Sequence, residues 1–278
     1  MDPLSSVAAW IPPFLLVFAR TVALCTQAPI IGSRAIPNMV RIALAFWISL
    51  CYVSTWKAPP AVPTQILPFV ILIINGVLIG VLFGFAATMM FYAIQGGGEL
   101  IASQTSLSMM STLNPLLKTN TSAVGQLFFW VAQLAFIMIG GHLVMIGAFI
   151  HTFELIPITG LMYFPGAFKE LMSISAAMLL TTLQMCMPAL LVMFLIDFGL
   201  GIINRAASQV SNILEMVMAI KPSIGFVVVI LMIPNVQASI TSLSDTMIKD
   251  TVRMIQAGQP KEKGGTINVP PTPVASPS

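Results

Sequence analysis

Few residues in this chain could do chemistry. There are two histidines, His142 and His151. His151 and Glu154 form an HxxE, but no second such motif and no HExxH accompanies it. A zinc site needs three or four ligands held together, and this set cannot supply them. Cys25, Cys51 and Cys186 lie in or beside apolar runs without CxxC spacing. An odd, scattered trio is not a disulfide framework, so they read as small buried hydrophobes. No GxSxG, P-loop or GxGxxG occurs, and no catalytic centre, metal or cofactor is expected.

What remains is the electrostatics of isolated charges in apolar surroundings. Asp197 sits inside a long apolar run, where a carboxylate costs about 2.5–3.5 kcal/mol on insertion scales. Asp197, Gly201 and Arg205 recur at i, i+4, i+8 on roughly one helix face. Asp197 and Arg205 are about 12 Å apart along the axis, too far for a direct bond, so each should seek a partner on another helix. Arg20 reads equally as a snorkelling interface residue or as the partner of an acid on another helix. Buried polar partners at helix or subunit contacts are expected of Arg20, Arg41, Glu99, His142, Asp197, Asn204 and Arg205.

The elements that must position these charges are apolar. Of the 278 residues, 57% are hydrophobic and 8% charged, against about 25% charged in soluble domains. Charge is absent between Lys57 and Glu99, Lys118 and Glu154, Glu170 and Asp197, and Lys221 and Asp245. About 20 apolar residues cross a hydrocarbon core. The expected fold is all-α and integral to the membrane, with about five or six apolar helical segments arranged as kinked hairpins in a larger helical assembly. With a net charge of +3 and no basic stripe, nucleic acid is not an expected partner. The N-terminus lacks the positive region of a cleaved signal peptide, so the first apolar segment is expected to be retained.

In order, the segments are Leu4–Leu24, Met39–Trp56, Pro68–Ile94, Val124–Ile150, Leu171–Ile203 and a short stretch, Ile224–Ile233. Pro12-Pro13 should kink or break the first, Pro188 should divide or kink the fifth, and Pro234 should end the sixth. Trp47, Tyr52 and Trp56 suit a membrane boundary. Gly76, Gly80 and Gly84, at spacing four, make a stripe that another helix could approach, in this chain or another. Arg205–Pro222 is amphipathic, and Ser239–Ala257 reads as a polar helix. Residues 1–257 would then form the membrane domain and 258–278 a disordered tail rich in Pro, Ser and Gly. The positive-inside rule gives no clear topology, since Lys and Arg occur in nearly every connection.

One stretch differs from all of these. Tyr92–Thr119 opens with Gly96-Gly97-Gly98-Glu99, runs through Gln104 and small polar residues, and ends near Asn114-Pro115. Glycine confers freedom at an entropic cost, so its first half reads as a hinge and anchor. Leu107, Met109, Met110, Leu113, Leu116 and Leu117 lie in an uncharged run from Thr105 to Leu117 that could close a constriction by dewetting. The residues alone leave two readings level, a solute transporter and a subunit of a larger membrane complex.

The order of features resembles the flagellar biosynthetic protein FliR and its type III secretion counterparts, the SctT export-gate proteins. Arg20 to Pro29, Ile36-Pro37 and Val40-Arg41-Ile42 resemble the family's first hairpin. Gly98-Glu99-Leu100-Ile101, Gln104, Ser108 and Asn114-Pro115 resemble its middle signature. Gly141-His142-Leu143 with Phe153 and Pro157 resembles a further block, and Pro188, Gly199-Leu200-Gly201, Asn204-Arg205 and Gln209 resemble the last. The chain departs from the pattern at Thr105-Ser106, where the family usually has glycine after the Gln, at Asn114 for Asp, and at Ser208 for Pro.

The resemblance implies a non-enzymatic core subunit of the export gate in a bacterial inner membrane, at the flagellar basal body. It implies assembly with FliP-like and FliQ-like subunits, beside FlhB-like and FlhA-like components, around a path for unfolded protein substrates. It also implies that Ser106–Lys118 plugs the closed pore. The flagellar branch is expected over the injectisome branch because the flagellar system is the more widespread.

Overall fold

The structure is a computed structural model. It describes residues 8–33, 35–63, 65–105, 107, 121–206 and 213–259, with backbone alone at 204, 206, 213–220 and 235–248. Seven helices make up its described part: α1 (Ile11–Gln27), α2 (Asn38–Val53), α3 (Ile66–Gln104), α4 (Ala123–Met138), α5 (Gly141–Leu155), α6 (Phe164–Ala206) and α7 (Ile213–Ala257). The protein is an all-helical integral membrane protein. α3 and the Phe164–Ile203 part of α6 are long and apolar enough to cross a membrane, and α4 with α5 forms a third, bent candidate.

The helix α3 is the centre of the fold; α1, α4, α6 and α7 all pack on it. Its buried side, from Leu72 through Ile79, Phe83, Met90, Phe91 and Ile94 to Ile101, forms the spine of the hydrophobic core. The stripe Gly76, Gly80 and Gly84 is filled from within the chain. A Cβ at Gly80 would meet the Arg20 carbonyl and stand 2.9 Å from the Ala23 Cβ, and one at Gly84 would stand 2.7 Å from the Gln27 Cβ. Thr88 then donates to the Gln27 carbonyl at 2.6 Å, closing the far end of this contact.

Several boundaries differ from the sequence expectation. Pro12 and Pro13 do not break the first helix; they stand in its first turn, where the missing N–H groups have no intrahelical acceptor to lose. The fourth segment breaks at Gly140, which takes φ +73° and turns the chain by 74° between α4 and α5. That left-handed conformation costs glycine little and most residues a good deal. Conversely, Pro188, Pro222 and Pro234 all lie within continuous helices. The amphipathic stretch, the short sixth segment and the polar helix thus become one 45-residue helix, α7. A proline-containing helix persists where neighbouring helices support the freed carbonyls, and α7 packs against α3, α4, α5 and α6.

The triple glycine is also helical. α3 runs unbroken to Gln104, so the chain leaves the helix ten residues later than the segment boundary at Ile94 implied. Tertiary contacts offset the low helix propensity of three glycines. A Cβ at Gly97 would meet Met185 Cε at 2.6 Å and Cys186 Sγ at 2.7 Å, both from α6. At Gly98 it would meet the Gly125 Cα at 2.7 Å, from α4.

Candidate functional site

The site begins where α3 and α4 touch, backbone against backbone, at Gly98 and Gly125. This close approach brings the half-buried Glu99 carboxylate to the first turn of α4. Its Oε1 accepts from the Ser122 N–H at 2.8 Å, while Ser122 Oγ accepts from the Gly125 N–H at 3.0 Å. Two of the orphan donors at the start of α4 are thus satisfied, and a negative charge faces the positive end of the helix. The result is a neck. The chain that leaves α3 after Gln104 returns at Ser122 to a residue tied to α3 itself.

Thr105 closes the other side of the neck. It is fully buried, its N–H reaches the Ile101 carbonyl at 3.0 Å, and its Oγ1 donates to the same carbonyl at 2.9 Å. Leu107, half-buried, packs on the core. Gln104 is exposed. Met109, Met110, Leu113, Asn114, Pro115, Leu116 and Leu117 lie outside the described residues.

A second cluster surrounds Arg20, which is 1% exposed. Its partner is not an acid, in correction of the pairing anticipated as one alternative, nor does it snorkel. The guanidinium donates to the Ile156 carbonyl at 3.0 Å and to the Thr152 carbonyl at 3.4 Å, at the end of α5. It also lies 4.4 Å from the centroid of the Phe153 ring, which Tyr52 stacks against at 4.7 Å and Phe149 meets edge-on at 5.4 Å. A helix C-terminus is a concentration of unpaired carbonyls with negative potential, and it substitutes here for a carboxylate. The bend at Gly140 separates α5 from α4 and gives this second helix its own axis.

Asp197 does find a partner on another helix, namely Lys221 of α7, at 2.8 Å to Oδ1 and 3.1 Å to Oδ2. Lys221 is the more enclosed of the two, at 19% exposed against 38%. Arg205 is exposed, and the Asn204 side chain is outside the described set. The Arg41 guanidinium donates to the Ser33 carbonyl while its Nε has no partner among the described residues. His142, half-buried just after the Gly140 turn, has an Nδ1 without a partner among the described residues. His151 and Glu154 meet at 2.6 Å on an exposed face. Among the described residues no three potential metal ligands gather.

Asn75 belongs among the polar fasteners, though sequence reasoning passed over it. It donates to the Gly160 carbonyl at 2.9 Å and accepts from the Met162 N–H at 3.0 Å, fixing the connection between α5 and α6 to α3. Tyr163 N–H donates to the Gly258 carbonyl at 2.6 Å, and Gln259 Nε2 to the Leu155 carbonyl at 2.8 Å. The end of α7 is thereby bound to the same connection. The signal for Asn75 was available: it is the one amide in the apolar run from Pro68 to Ile94. Lys221 had a similar signal, a lone cation at the edge of a charge-free run.

The arrangement builds a rigid bundle that ties a loop at its neck and buries isolated charges on carbonyls or on each other. Known proteins of the same sequence pattern are export components. Flagellar biosynthetic protein FliR of Escherichia coli (strain K12) is 28% identical over 208 residues, 73% of this chain and 77% of that one. FliR of Pectobacterium carotovorum is 31% identical over 202 residues, with the same coverage. The Yop proteins translocation protein T of Yersinia pestis is 26% identical over 233 residues, 82% of this chain and 86% of that one. The sequence model of the bacterial export proteins, family 1, matches residues 11–247. That span holds the Arg20 cluster, the Glu99 neck and the Asp197–Lys221 pair alike, and the chain belongs to this family, that of FliR and the type III secretion T proteins.

Proposed function

We propose that this protein is a core subunit of a flagellar type III export gate, that it contributes to the wall of the substrate path, and that its 106–118 loop plugs the path when closed. The neck carries this reading. Glu99 and Ser122 close the loop on itself at 2.8 Å. The sequence between them, from Thr105 to Leu117, offers apolar side chains and no charge. A tethered apolar segment can exclude water and ions by dewetting and yet be displaced without loss of its attachment. Leu107, Met109, Met110, Leu113, Asn114, Pro115, Leu116 and Leu117 form the plug; Gly96, Gly97, Gly98, Glu99 and Gln104 form its base.

Helix length supports a place inside a larger assembly. The 39 residues of α3 and 43 of α6 extend about 58 and 64 Å, twice a hydrocarbon core of about 30 Å. Large apolar side chains stay exposed along α6 from Phe168 to Ile203. Lipid can cover only part of that length. Helical partners, FliP-like and FliQ-like subunits, cover the rest in this reading, with FlhB-like and FlhA-like components nearby and unfolded protein as the cargo. The bacterial inner membrane at the flagellar basal body is the corresponding location. Flagellar relatives are 26–31% identical and the Yersinia protein is 26% identical; the flagellar branch is proposed because that system is the more widespread.

The test is deletion of Ser108–Leu113 in the assembled complex. Ion or small-molecule leakage should rise while co-purification with FliP-like and FliQ-like subunits persists. A deletion complex as tight as wild type would refute the plug. Purification without those subunits, together with binding of a solute, would point to a transporter instead.

A further inference from the structure

The C-terminal end of α3 and the middle of α7 fit together like a key and a notch. A Cβ placed on Gly225 of α7 would meet all three side-chain heavy atoms of Thr105: its Cβ, its Cγ2 at 2.6 Å and its Oγ1 at 3.2 Å. The Thr105 side chain therefore occupies the volume that a side chain at position 225 would need. Thr105 is 0% exposed and makes its hydrogen bonds to its own helix, at Ile101 and Ala102. Among the described residues, shape alone holds it against α7. Gly225 lies one helical turn after Lys221, which is bonded to Asp197 of α6, and one turn before the buried Val228 and Val229. The notch thus sits on the inward face of α7, just below the ion pair that fastens α7 to α6.

We propose that the Thr105–Gly225 fit is a positioning contact that sets how the chain leaves α3, and that α7 thereby fixes the root of the loop. The proposal rests on the plug reading for its functional meaning, but the contact itself can be tested separately. Thr105 is the last residue before the loop, and Leu107 packs on the core two residues on. If α7 shifts, or if the notch is filled, Thr105 loses its seat and Leu107 moves with it. The Asp197–Lys221 pair then acts at a distance, by holding α7 at the depth where the notch meets its key.

The experiment uses the full chain assembled with its partner subunits, in a Cys51→Ser background that removes the exposed native thiol. Leu107→Cys supplies a reporter, read by its labelling rate with a membrane-permeant maleimide. Gly225→Ala should raise that rate several-fold and increase leakage while assembly persists. Adding Thr105→Gly, which makes room for the new methyl at 225 to fill the same contact from the α7 side, should return the rate toward that of the Gly225 parent. Thr105→Gly alone should also raise labelling, since the root is then unkeyed; this variant keeps the test open if Gly225→Ala does not accumulate. Unchanged labelling in both single variants, or a double variant no better than Gly225→Ala, would overturn the contact. Labelling that responds while leakage stays at the parent level would leave the contact standing and remove the plug reading.

Discussion

Arg20→Met is the most informative single change outside the loop. It keeps volume and apolar stem but removes the guanidinium that caps α5. The two hydrogen bonds to carbonyls and the contact with Phe153 amount to roughly 5 kcal/mol gross, taking charged hydrogen bonds and a desolvated cation–π contact at their usual values. Removal also relieves the cost of burying the charge, which leaves a net loss of about 2–4 kcal/mol. At about 2–4 °C per kcal/mol for a chain of this size, the thermal midpoint should fall by roughly 10 °C. The assay is the melting midpoint of the purified chain in a fixed detergent, followed by monodispersity. Arg20→Lys keeps a charge but loses the planar fork and the stacking face, so it should fall between Met and wild type. If Arg20→Met melts with wild type, the guanidinium is not holding the end of α5, and the carbonyl cap is no fastener. If Arg20→Lys melts with wild type while Met does not, charge alone matters and the fork geometry is irrelevant.

Glu99→Ala should lower stability by about 1–2 kcal/mol through loss of a helix cap and of a charge at the α4 N-terminus, and should raise leakage of the assembled gate; Glu99→Gln, which keeps an acceptor, should do less on both readouts. Gly80→Ala should sharply reduce accumulation of the chain in the membrane, because its Cβ meets the Arg20 backbone. Gly147→Ala should be tolerated by the isolated chain, since nothing lies within 4 Å of the added carbon, and blotting of membrane fractions separates the two outcomes. Asp197→Asn should mainly impair assembly by leaving Lys221 half-enclosed without its partner, and the exchange Asp197→Lys with Lys221→Asp should restore part of it. Normal assembly with lost proton-dependent export would instead make Asp197 a proton carrier.

Hydropathy and charge made the fold class readable, because no soluble packing leaves Leu179, Leu183, Leu191 and Phe198 together at a surface. The glycines were visible in sequence but not their role. Gly140 and Gly97 look alike as letters; one takes a left-handed turn in open space and the other stays helical against Met185 and Cys186 of α6. What decides between them is the neighbouring helix, which a linear reading does not contain. The prolines mislead for the same reason. Local chemistry says that Pro188, Pro222 and Pro234 weaken a helix, whereas packing on α3 and its neighbours decides that the helices continue. Asp197 announced its need for a partner by its surroundings, and Lys221 met it. Arg20 announced the same need, but its partners are carbonyls at a helix end, groups that every residue carries and no sequence motif marks.

The turn at Gly140 also changes how the chain's passage through the membrane must be counted. α4 and α5 have 16 and 15 residues, about 24 and 22 Å, each short of a core of about 30 Å. With 74° between them, if α4 stands along the membrane normal then α5 gains only about 6 Å of depth. The pair together then reaches about 30 Å, no more than the core's thickness, so the elbow leaves a crossing without the margin that 31 residues in one straight helix would have. If the elbow turns the chain back instead, one crossing leaves the tally and the sidedness of every loop after it reverses.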